Sequence, residues 1–222
     1  MAPVGAGIAA PLKCAVVLGS TRRVRVGPRV AAFVEARMRA RGLEVDRIDP
    51  VEAEGGYFMR LMEKPLFHYK EGEEVPGQLS RVAARLAAAD AYIVVTPEMN
   101  HALPPGLTNL MSHFGSSTYS FKPSGICAYS AGLWGGARAG VALRSFLGEL
   151  GCAPVSAAVQ VARAQAQFRE EGAVDSTVEK MCERMLDQVE WHAQALRAHQ
   201  EAFGVPSRSY FEQVRLGQHK SE

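Results

Sequence analysis

The sequence predicts a three-layer α/β domain in which helices cover both faces of a doubly wound, five-stranded parallel sheet. Two observations lead to this fold class. Five short apolar or β-branched runs recur at regular intervals along the 222 residues, and helix-like segments lie between them. A chain of this length is also below the size at which one core must split, so a single domain is expected. The Rossmann order and the order 2-1-3-4-5 are both common for such sheets, and periodicity leaves both open.

The first βα unit has clear signals at both ends. Lys13–Gly19 (KCAVVLG) is a continuous apolar run, which is typical of a strand buried on both faces. Pro28 suits the first turn of the following helix, and Gly42 ends it. Leu43–Asp49 is predicted as the second strand. The apolar stripe of the first helix consists of Val30, Phe33, Val34 and Met38.

Residues 50–77 have no clear period. A structureless segment of this length is uncommon inside a compact domain and is usually functional or a packing arm. Its aromatic side chains are predicted either to cover a ligand or a partner subunit, or to pin the segment to its own domain. These side chains are Tyr57, Phe58, Phe67 and Tyr69.

The second half of the chain continues the alternation. The predicted helices are Gln78–Asp90, Pro105–Phe114, Ala137–Gly151 and a long final one at Asp175–Gly204, and the predicted strands are Ala91–Val95, Ser124–Ser130 and Ala153–Val161. Asp175 or Ser176 is expected to cap the final helix. Residues 1–12 and 205–222 are predicted to be tails around a domain at 13–204.

Composition excludes several classes of function. The chain is 47% hydrophobic and 22% charged, as in ordinary globular proteins, and its net charge of +2 with no Lys/Arg stripe argues against nucleic acid. No apolar run approaches the ~18 residues of a membrane span, and the N-terminus makes a poor signal peptide. The four cysteines lie far apart without a C-x-x-C pair, so we expect a reducing, cytoplasmic location and no metal ligands.

Three loops follow the carboxyl ends of predicted strands and have unusual composition. They are residues 19–27, 96–106 and 130–136. Ligands of doubly wound sheets bind outside these strand ends, at the switch point of the strand order, which lies between strands one and three in the order 2-1-3-4-5. The coincidence of unusual loops with this position predicts a binding site.

The first of these loops, GSTRRVRVGP, has the chemistry of a phosphate site. It joins a buried strand to a helix N-terminus, where free N–H groups and a partial positive charge suit an anion. Ser20 and Thr21 add hydroxyl donors, and Arg22, Arg23 and Arg25 add charge-assisted ones. The alternative is a solvated basic loop in which Ser20 only caps the helix.

The third loop, SAGLWGGAR, is rich in glycine. Gly132 and Gly135 would allow a close approach of the backbone to a flat ligand, with Trp134 lying over it. The alternative is a glycine-rich turn with a core tryptophan. Arg138 and Arg144 on the next helix are expected to form salt bridges or subunit contacts.

Taken together, GSTR after strand one, TPEMNHALPPGLTNL after strand three and YSAGLWGGARAGVALRSFLGELG after strand four resemble the NADPH-dependent FMN reductase family. Within it they are most similar to the flavodoxin-like quinone and azo reductases. The resemblance runs from about Lys13 to Val161. It implies a flavodoxin-like fold with the strand order 2-1-3-4-5 and, for the assembly, a homodimer or homotetramer with the flavin near a subunit interface.

The resemblance also implies a set of FMN contacts. The phosphate would be held by Ser20, Arg22, Arg25, Val26 and Gly27. The edge of the ring system would face backbone N–H groups and the side chain of the second loop, at Pro97, Glu98, Met99 and Asn100. The third loop would flank the ring at Ser130, Gly132 and Gly135.

Two positions depart from the family's pattern. Met99 stands where a tyrosine is usual, and Ser112 stands where an aspartate is common. Methionine is apolar and packs against ring edges, so FMN binding is expected to survive. The tyrosine's role towards substrate is not carried over.

The implied reaction is ping-pong: a hydride passes from NADPH or NADH to FMN, and two electrons then pass to a quinone-like acceptor. Because the cofactor carries the chemistry, no catalytic side chain is predicted, and His101 and His113 are expected to be cap or surface residues. Reduction of free FMN, azo dyes or metal oxyanions is the alternative within the same site. A flavodoxin-type electron carrier, which the near-neutral charge disfavours, and a redox-sensing partner protein are alternatives of another class.

Overall fold

Five parallel strands form one sheet in the order β2-β1-β3-β4-β5. In the computed structural model, which describes residues 10–168 and 174–206, these strands are β1 (Lys13–Leu18), β2 (Glu44–Ile48), β3 (Ala91–Pro97), β4 (Pro123–Tyr129) and β5 (Ala153–Val161). All adjacent pairs are parallel. The doubly wound fold and the order 2-1-3-4-5 are therefore confirmed.

Helices cover both faces of the sheet. Their bounds are α1 (Gly27–Ala40), α2 (Gly77–Ala88), α3 (Pro105–Ser112), α4 (Ser116–Tyr119), α5 (Ala137–Glu149), α6 (Ala164–Gln167) and α7 (Ser176–Phe203). Apolar side chains of α1 and α7 form one core with the sheet, and those of α2, α3 and α5 form the other. None of the described helices is both long enough and apolar enough to cross a membrane.

Burial of the strands follows their position in the sheet. Every residue of β3 and β4 is buried, and so is every residue of β1 after Lys13, because these strands have a neighbour on each side and helices on both faces. The edge strands β2 and β5 are only partly buried. The continuous apolar runs thus mark the centre of the sheet.

The segment between β2 and α2 is pinned to its own domain. It contains two short 3-10 helices, Ala53–Met59 and Leu66–His68, and Phe58 is buried against the second core. Asn109 of α3 holds the segment: its amide donates to the carbonyls of Phe58 and Arg60, at 2.9 and 2.8 Å. The first half of this segment is therefore attached to its own domain, which is the second of the two alternatives that the sequence left open.

The final helix begins as the cap signal predicts. Asp175 is the N-cap residue, and its carboxylate accepts a hydrogen bond of 2.7 Å from the backbone N–H of Thr177.

The one-turn helices α4 and α6 were not predicted, because four residues are too few to show a helical period. Most of the two predicted tails lies outside the described residues. Leu12, at the end of the first, is buried.

Candidate cofactor site

The three unusual loops meet at one cleft beyond the carboxyl ends of β1, β3 and β4. Its lining consists of Ser20, Arg22, Val24, Arg25, Val26, Arg29, Pro97, Glu98, Met99, Tyr129, Ser130, Ala131 and Gln165. Most of the predicted contact residues are therefore brought together. Gly27, Asn100, Gly132 and Gly135 do not line this cleft.

The first loop leaves a run of backbone donors free. Gly19 donates to the carbonyl of Val95 at 2.9 Å, and the hydrogen bonds of α1 begin with Arg29 and Val30, which both donate to the carbonyl of Val26. Between these points, the N–H groups of residues 20–27 donate no hydrogen bond to the described part of the chain. No side chain caps α1, so the alternative in which Ser20 only caps this helix is wrong. Unpaired N–H groups at a helix N-terminus suit an anion.

Arg25 holds this loop in place rather than pointing into the cleft as a free charge. Its guanidinium forms a two-pronged ion pair with Asp49, in which both N···O distances are 2.7 Å, and it also donates to the carbonyl of Ser20 at 2.5 Å. The side chains of Arg25 and Asp49 are only 9% and 2% exposed. Buried pairs of this geometry are rigid and specific.

Free positive charge at the cleft comes from other arginines. Arg22 and Arg29 line the cleft, and neither forms an ion pair with a carboxylate of the described residues. Arg29 belongs to the first turn of α1, which contains no acidic residue. The helix terminus and these guanidinium groups together make the first loop a positively charged site.

The second loop contains a two-residue reverse turn. Met99 and Ala102 exchange backbone hydrogen bonds of 3.1 and 2.9 Å, and the two residues between them, Asn100 and His101, have φ of 51° and 61°. Two left-handed central residues define a type I′ turn, which asparagine tolerates well. His101 is exposed at the tip, in agreement with its predicted surface position.

The backbone N–H groups of this loop are partly used within the protein. Glu98 donates its N–H to the carbonyl of Tyr129 at 2.8 Å, and Met99 donates to Ala102. These two groups therefore do not face a ring as free donors. The N–H group of Asn100 donates to no described residue and is available to a ligand.

The carboxylate of Glu98 connects the second loop to the first turn of α5, which follows the third loop. It accepts hydrogen bonds from the backbone N–H groups of Arg138 at 2.9 Å and Ala139 at 3.4 Å, and it pairs with the Arg138 guanidinium at 3.3 Å. Glu98 thus neutralises the N-terminus of α5 from another part of the chain. Arg138 and Arg144 both make intramolecular contacts, and Arg144 donates to carbonyls of β5.

Two glycines of the third loop are held at the end of β5, Gly135 by packing and Gly132 by a hydrogen bond of its carbonyl group. A Cβ atom on Gly135, whose φ is 61°, would lie 3.3 Å from the backbone nitrogen of Ala162. The carbonyl of Gly132 accepts from the N–H of Arg163 at 2.9 Å. Trp134 is 64% exposed and has the Arg138 guanidinium 4.9 Å from its ring centroid, so the alternative of a core tryptophan is wrong.

Sequence analysis missed Tyr129 and Gln165, both of which line the cleft. Tyr129 is the last residue of β4, and its hydroxyl makes no hydrogen bond with the described residues. Burial raises the pKa of this hydroxyl above its ordinary value. The sequence did contain a signal for Tyr129, because it is a polar aromatic residue at the end of the strand that leads into the third loop.

His113 is the C-cap residue of α3, as one of its two predicted roles has it, but it is not a surface residue. It is buried beside the rings of Phe58 and Phe114, and its Nδ1 lies 2.7 Å from the carbonyl oxygen of Asn109. Burial lowers the pKa of the imidazole. His113 does not line the cleft between the three loops.

The described residues contain no group of three or more side chains suited to hold a metal ion.

Comparison with known proteins agrees with this arrangement. The family model described as NADPH-dependent FMN reductase matches residues 12–166, which is more than half of the chain and includes all three loops. The chain belongs to this family. The resemblance of the three loop motifs to the NADPH-dependent FMN reductases is therefore confirmed.

Individual relatives are more distant. The chain is 30% identical to a quinone reductase of Escherichia coli strain K12 over 106 residues, covering 46% of this chain and 56% of the relative. It is 28% identical to an NADPH azoreductase of Bacillus sp. strain OY1-2 over 83 residues, covering 37% and 47%. The matched segments span about half the length of these relatives.

A solved structure shows the same fold. The flavoenzyme FerB of Paracoccus denitrificans, described as an NAD(P)H:(acceptor) oxidoreductase, superimposes with a TM-score of 0.58 at 20% identity, covering 85% of this chain and 98% of FerB. This likeness shows the fold, and membership of the NADPH-dependent FMN reductase family supports FMN as the cofactor and a nicotinamide nucleotide as the electron donor.

Proposed function

We propose that the protein is an FMN-dependent NAD(P)H:quinone oxidoreductase. The single observation that carries the proposal is the first loop, where unpaired N–H groups of residues 20–27 and the charges of Arg22 and Arg29 stand at the switch point of a flavodoxin-like sheet. This is the position where such sheets bind a flavin phosphate. The first loop would hold the FMN phosphate, and the bound flavin would supply the redox chemistry between NAD(P)H and an acceptor.

The donor set of the first loop fits an FMN phosphate. A dianionic phosphate needs several N–H donors and positive charge, and the backbone N–H groups of residues 20–27 and the guanidinium groups of Arg22 and Arg29 provide both. Arg25 contributes indirectly in this proposal: its bond to the Ser20 carbonyl and its ion pair with Asp49 keep the loop in one conformation.

The remaining site residues have supporting roles. Met99 provides an apolar surface for the ring edge, and Asn100 has a free N–H group and an amide side chain at the turn. Ser130 lines the other side of the cleft. Gly132 and Gly135 shape the third loop instead of touching the ring in this proposal, because Gly135 packs against the end of β5 and the carbonyl of Gly132 accepts a hydrogen bond from Arg163, just beyond that strand.

The absorption spectrum of the purified full chain tests the proposal. We expect bound or bindable FMN, bleaching of the flavin by NADH or NADPH without oxygen, and reoxidation by a quinone. A protein that binds no flavin would refute the proposal. A flavin that is not reduced by either nicotinamide would indicate the electron-carrier alternative.

Azo dyes are the second candidate class of acceptor, because one of the relatives is an NADPH azoreductase. Reoxidation of the reduced protein by a quinone, an azo dye, free FMN and a metal oxyanion, compared at equal concentrations, separates these acceptors. We expect the quinone to react fastest. A faster reaction with the azo dye would reassign the acceptor while leaving the flavin site as described.

We also propose a homodimer or homotetramer with the cleft near the subunit interface. The support is apolar surface beside the cleft: Val24 of the first loop and Leu133 and Trp134 of the third are strongly exposed. Light scattering on the purified protein would measure the mass directly.

The cytoplasmic location is a proposal as well, supported by four buried cysteines that form no disulfide.

A further inference from the structure

Tyr129 has a buried hydroxyl without a partner. The residue is 4% exposed, and its Oη makes no hydrogen bond within the described part of the chain. Buried polar groups in folded proteins are nearly always hydrogen-bonded, so an exception indicates a missing partner such as a ligand. Tyr129 also lines the cleft between the three loops, which places the missing partner there.

The hydroxyl lies at the N-terminus of α1. A methyl group on Gly27 would stand 2.7 Å from Tyr129 Oη and 3.6 Å from Ser20 Cβ, so the phenol occupies space that a glycine leaves open. The Ser20 side chain is close enough to lower the pKa of Tyr129, but the two hydroxyl groups do not adopt hydrogen-bond geometry. The charges of Arg25 and Arg22 act on the hydroxyl in the same direction.

A second buried atom without a partner provides a contrast. Ser124 Oγ is equally unpaired, but Ser124 lies at the opposite end of β4 and does not line the cleft. Of these two described side chains, only Tyr129 stands beside free N–H donors and a helix N-terminus. Its unpaired hydroxyl is therefore an observation on the cleft itself, independent of the helix terminus.

We propose that Tyr129 is a phosphate ligand, whose hydroxyl donates a hydrogen bond to the phosphate of FMN beside the N–H groups of the first loop. This inference rests on the proposed function. Burial raises the pKa of the hydroxyl, so the group keeps its proton at neutral pH and remains a donor. A bond from a neutral hydroxyl to a charged phosphate oxygen is stronger than one between neutral groups.

Binding of FMN and of riboflavin, which lacks the phosphate, tests the role of Tyr129. The full chain and its Tyr129→Phe variant are titrated with each flavin, and binding is followed by quenching of flavin fluorescence. We expect the variant to bind FMN roughly 10- to 100-fold more weakly and riboflavin with unchanged affinity. Equal losses for both flavins, or no loss for FMN, would overturn the proposal.

Two controls distinguish a binding role from a structural one. Tyr119→Phe removes another buried hydroxyl, one that donates to Met111 at 3.2 Å, and should leave the ratio of FMN to riboflavin affinity unchanged. Without flavin, Tyr129→Phe should melt at the same temperature as the wild type or higher, because the hydroxyl it removes is unpaired. A lower melting temperature with an unchanged affinity ratio would assign Tyr129 to the fold alone.

The outcomes also separate this inference from the function on which it rests. A wild-type protein that binds neither flavin refutes the proposed function and the Tyr129 contact together. A wild-type protein that binds FMN far more tightly than riboflavin, with a Tyr129→Phe variant that behaves identically, refutes only the Tyr129 contact. Wild-type binding of both flavins with equal affinity removes the phosphate site.

Discussion

Ser20 combines burial with a position at the start of the anion site. It is the first residue of the loop whose N–H groups are unpaired, and its side chain is almost fully buried between the loop and Tyr129. Such a residue has two consequences for substitution. A small polar side chain is tolerated there, whereas a negative charge would oppose a bound phosphate at close range.

Ser20→Asp is therefore expected to weaken FMN binding by at least about 100-fold, since close like charges are unfavourable by several kcal/mol. Riboflavin affinity should fall much less, because riboflavin has no phosphate. Fluorescence titration measures both. Ser176→Asp, at the exposed start of α7, is the matched control and should leave both affinities unchanged. Equal FMN affinity in Ser20→Asp and the wild type would place the phosphate elsewhere.

His113 makes the stability of the fold depend on pH. Its pKa is lowered because the imidazole is buried, and the bond between Nδ1 and the carbonyl of Asn109 opposes this shift only in part. The unfolded chain therefore takes up the proton at a higher pH than the folded one. The stabilisation is fully present above the unfolded pKa of about 6.5 and decreases as the pH falls below it.

We expect the wild type to lose more unfolding free energy than His113→Gln between pH 7 and pH 5, measured by urea denaturation. The difference between the two curves isolates His113 from the other titrating groups. His199→Gln, an exposed change on α7, should follow the wild-type curve. Parallel curves for the wild type and His113→Gln would show that this histidine is not the source of the pH dependence.

At the scale of elements, Glu98 links the loop after β3 to the start of α5, which is far away in sequence. Its carboxylate comes from the loop after β3 and accepts from the first N–H groups of α5. Its side chain is 6% exposed, so solvent screens this interaction little. Helix α5 itself begins after Gly136, whose φ is 78°, and has no cap of its own. Glu98 therefore performs the function of an N-cap from outside the helix.

Glu98→Ala should lower the unfolding free energy by about 1–2 kcal/mol, as loss of a cap and of a charge at a helix N-terminus does. Glu98→Gln should lower the unfolding free energy by a smaller amount, because the amide oxygen still accepts a hydrogen bond. Urea denaturation measures both. Hydrogen exchange at Arg138 and Ala139 should accelerate in the alanine variant. Glu149→Ala, at the other end of α5, is the control and should not lower the unfolding free energy. Equal stability of all three variants would contradict the capping role.

At the scale of the whole molecule, α7 packs into the core of the domain, and we expect it to unfold together with the rest. The family model ends at residue 166, but α7 packs onto the sheet through a buried stripe that includes Met185 and Leu186. A Cβ on Gly125 of β4 would lie 2.9 Å from Met185 Sδ, so the methionine rests directly on the sheet. Arg41, after α1, adds ion pairs to acidic residues of α7.

Met185→Ala should therefore lower the unfolding free energy by about 2–5 kcal/mol, the range for truncating a fully buried side chain. Unfolding should remain a single transition when followed by circular dichroism and by tryptophan fluorescence, because Trp191 lies on α7 and Trp134 lies beside the cleft. Lys180→Ala, an exposed change on the same helix, is the control. Two separate transitions would show that α7 unfolds independently.

The sequence by itself determined the class of fold, because burial on both faces requires continuous apolar runs in the central strands and because caps and glycines end the helices locally. It also located the three loops, since their residue types are unusual for connectors. The resemblance of their motifs then chose the strand order that periodicity had left open.

Only the tertiary structure decided how individual side chains are used. Arg25 lies in a loop of similar arginines, yet Asp49, just after β2, pairs with its charge, whereas Arg22 and Arg29 line the cleft without an ion pair to a described carboxylate. The sequence indicates only that Tyr129 belongs to a strand, whereas the structure places its hydroxyl beside Gly27. These partners are far apart in the chain. Contacts between them arise when parallel strands bring their carboxyl ends to one edge of the sheet, and no local pattern encodes them.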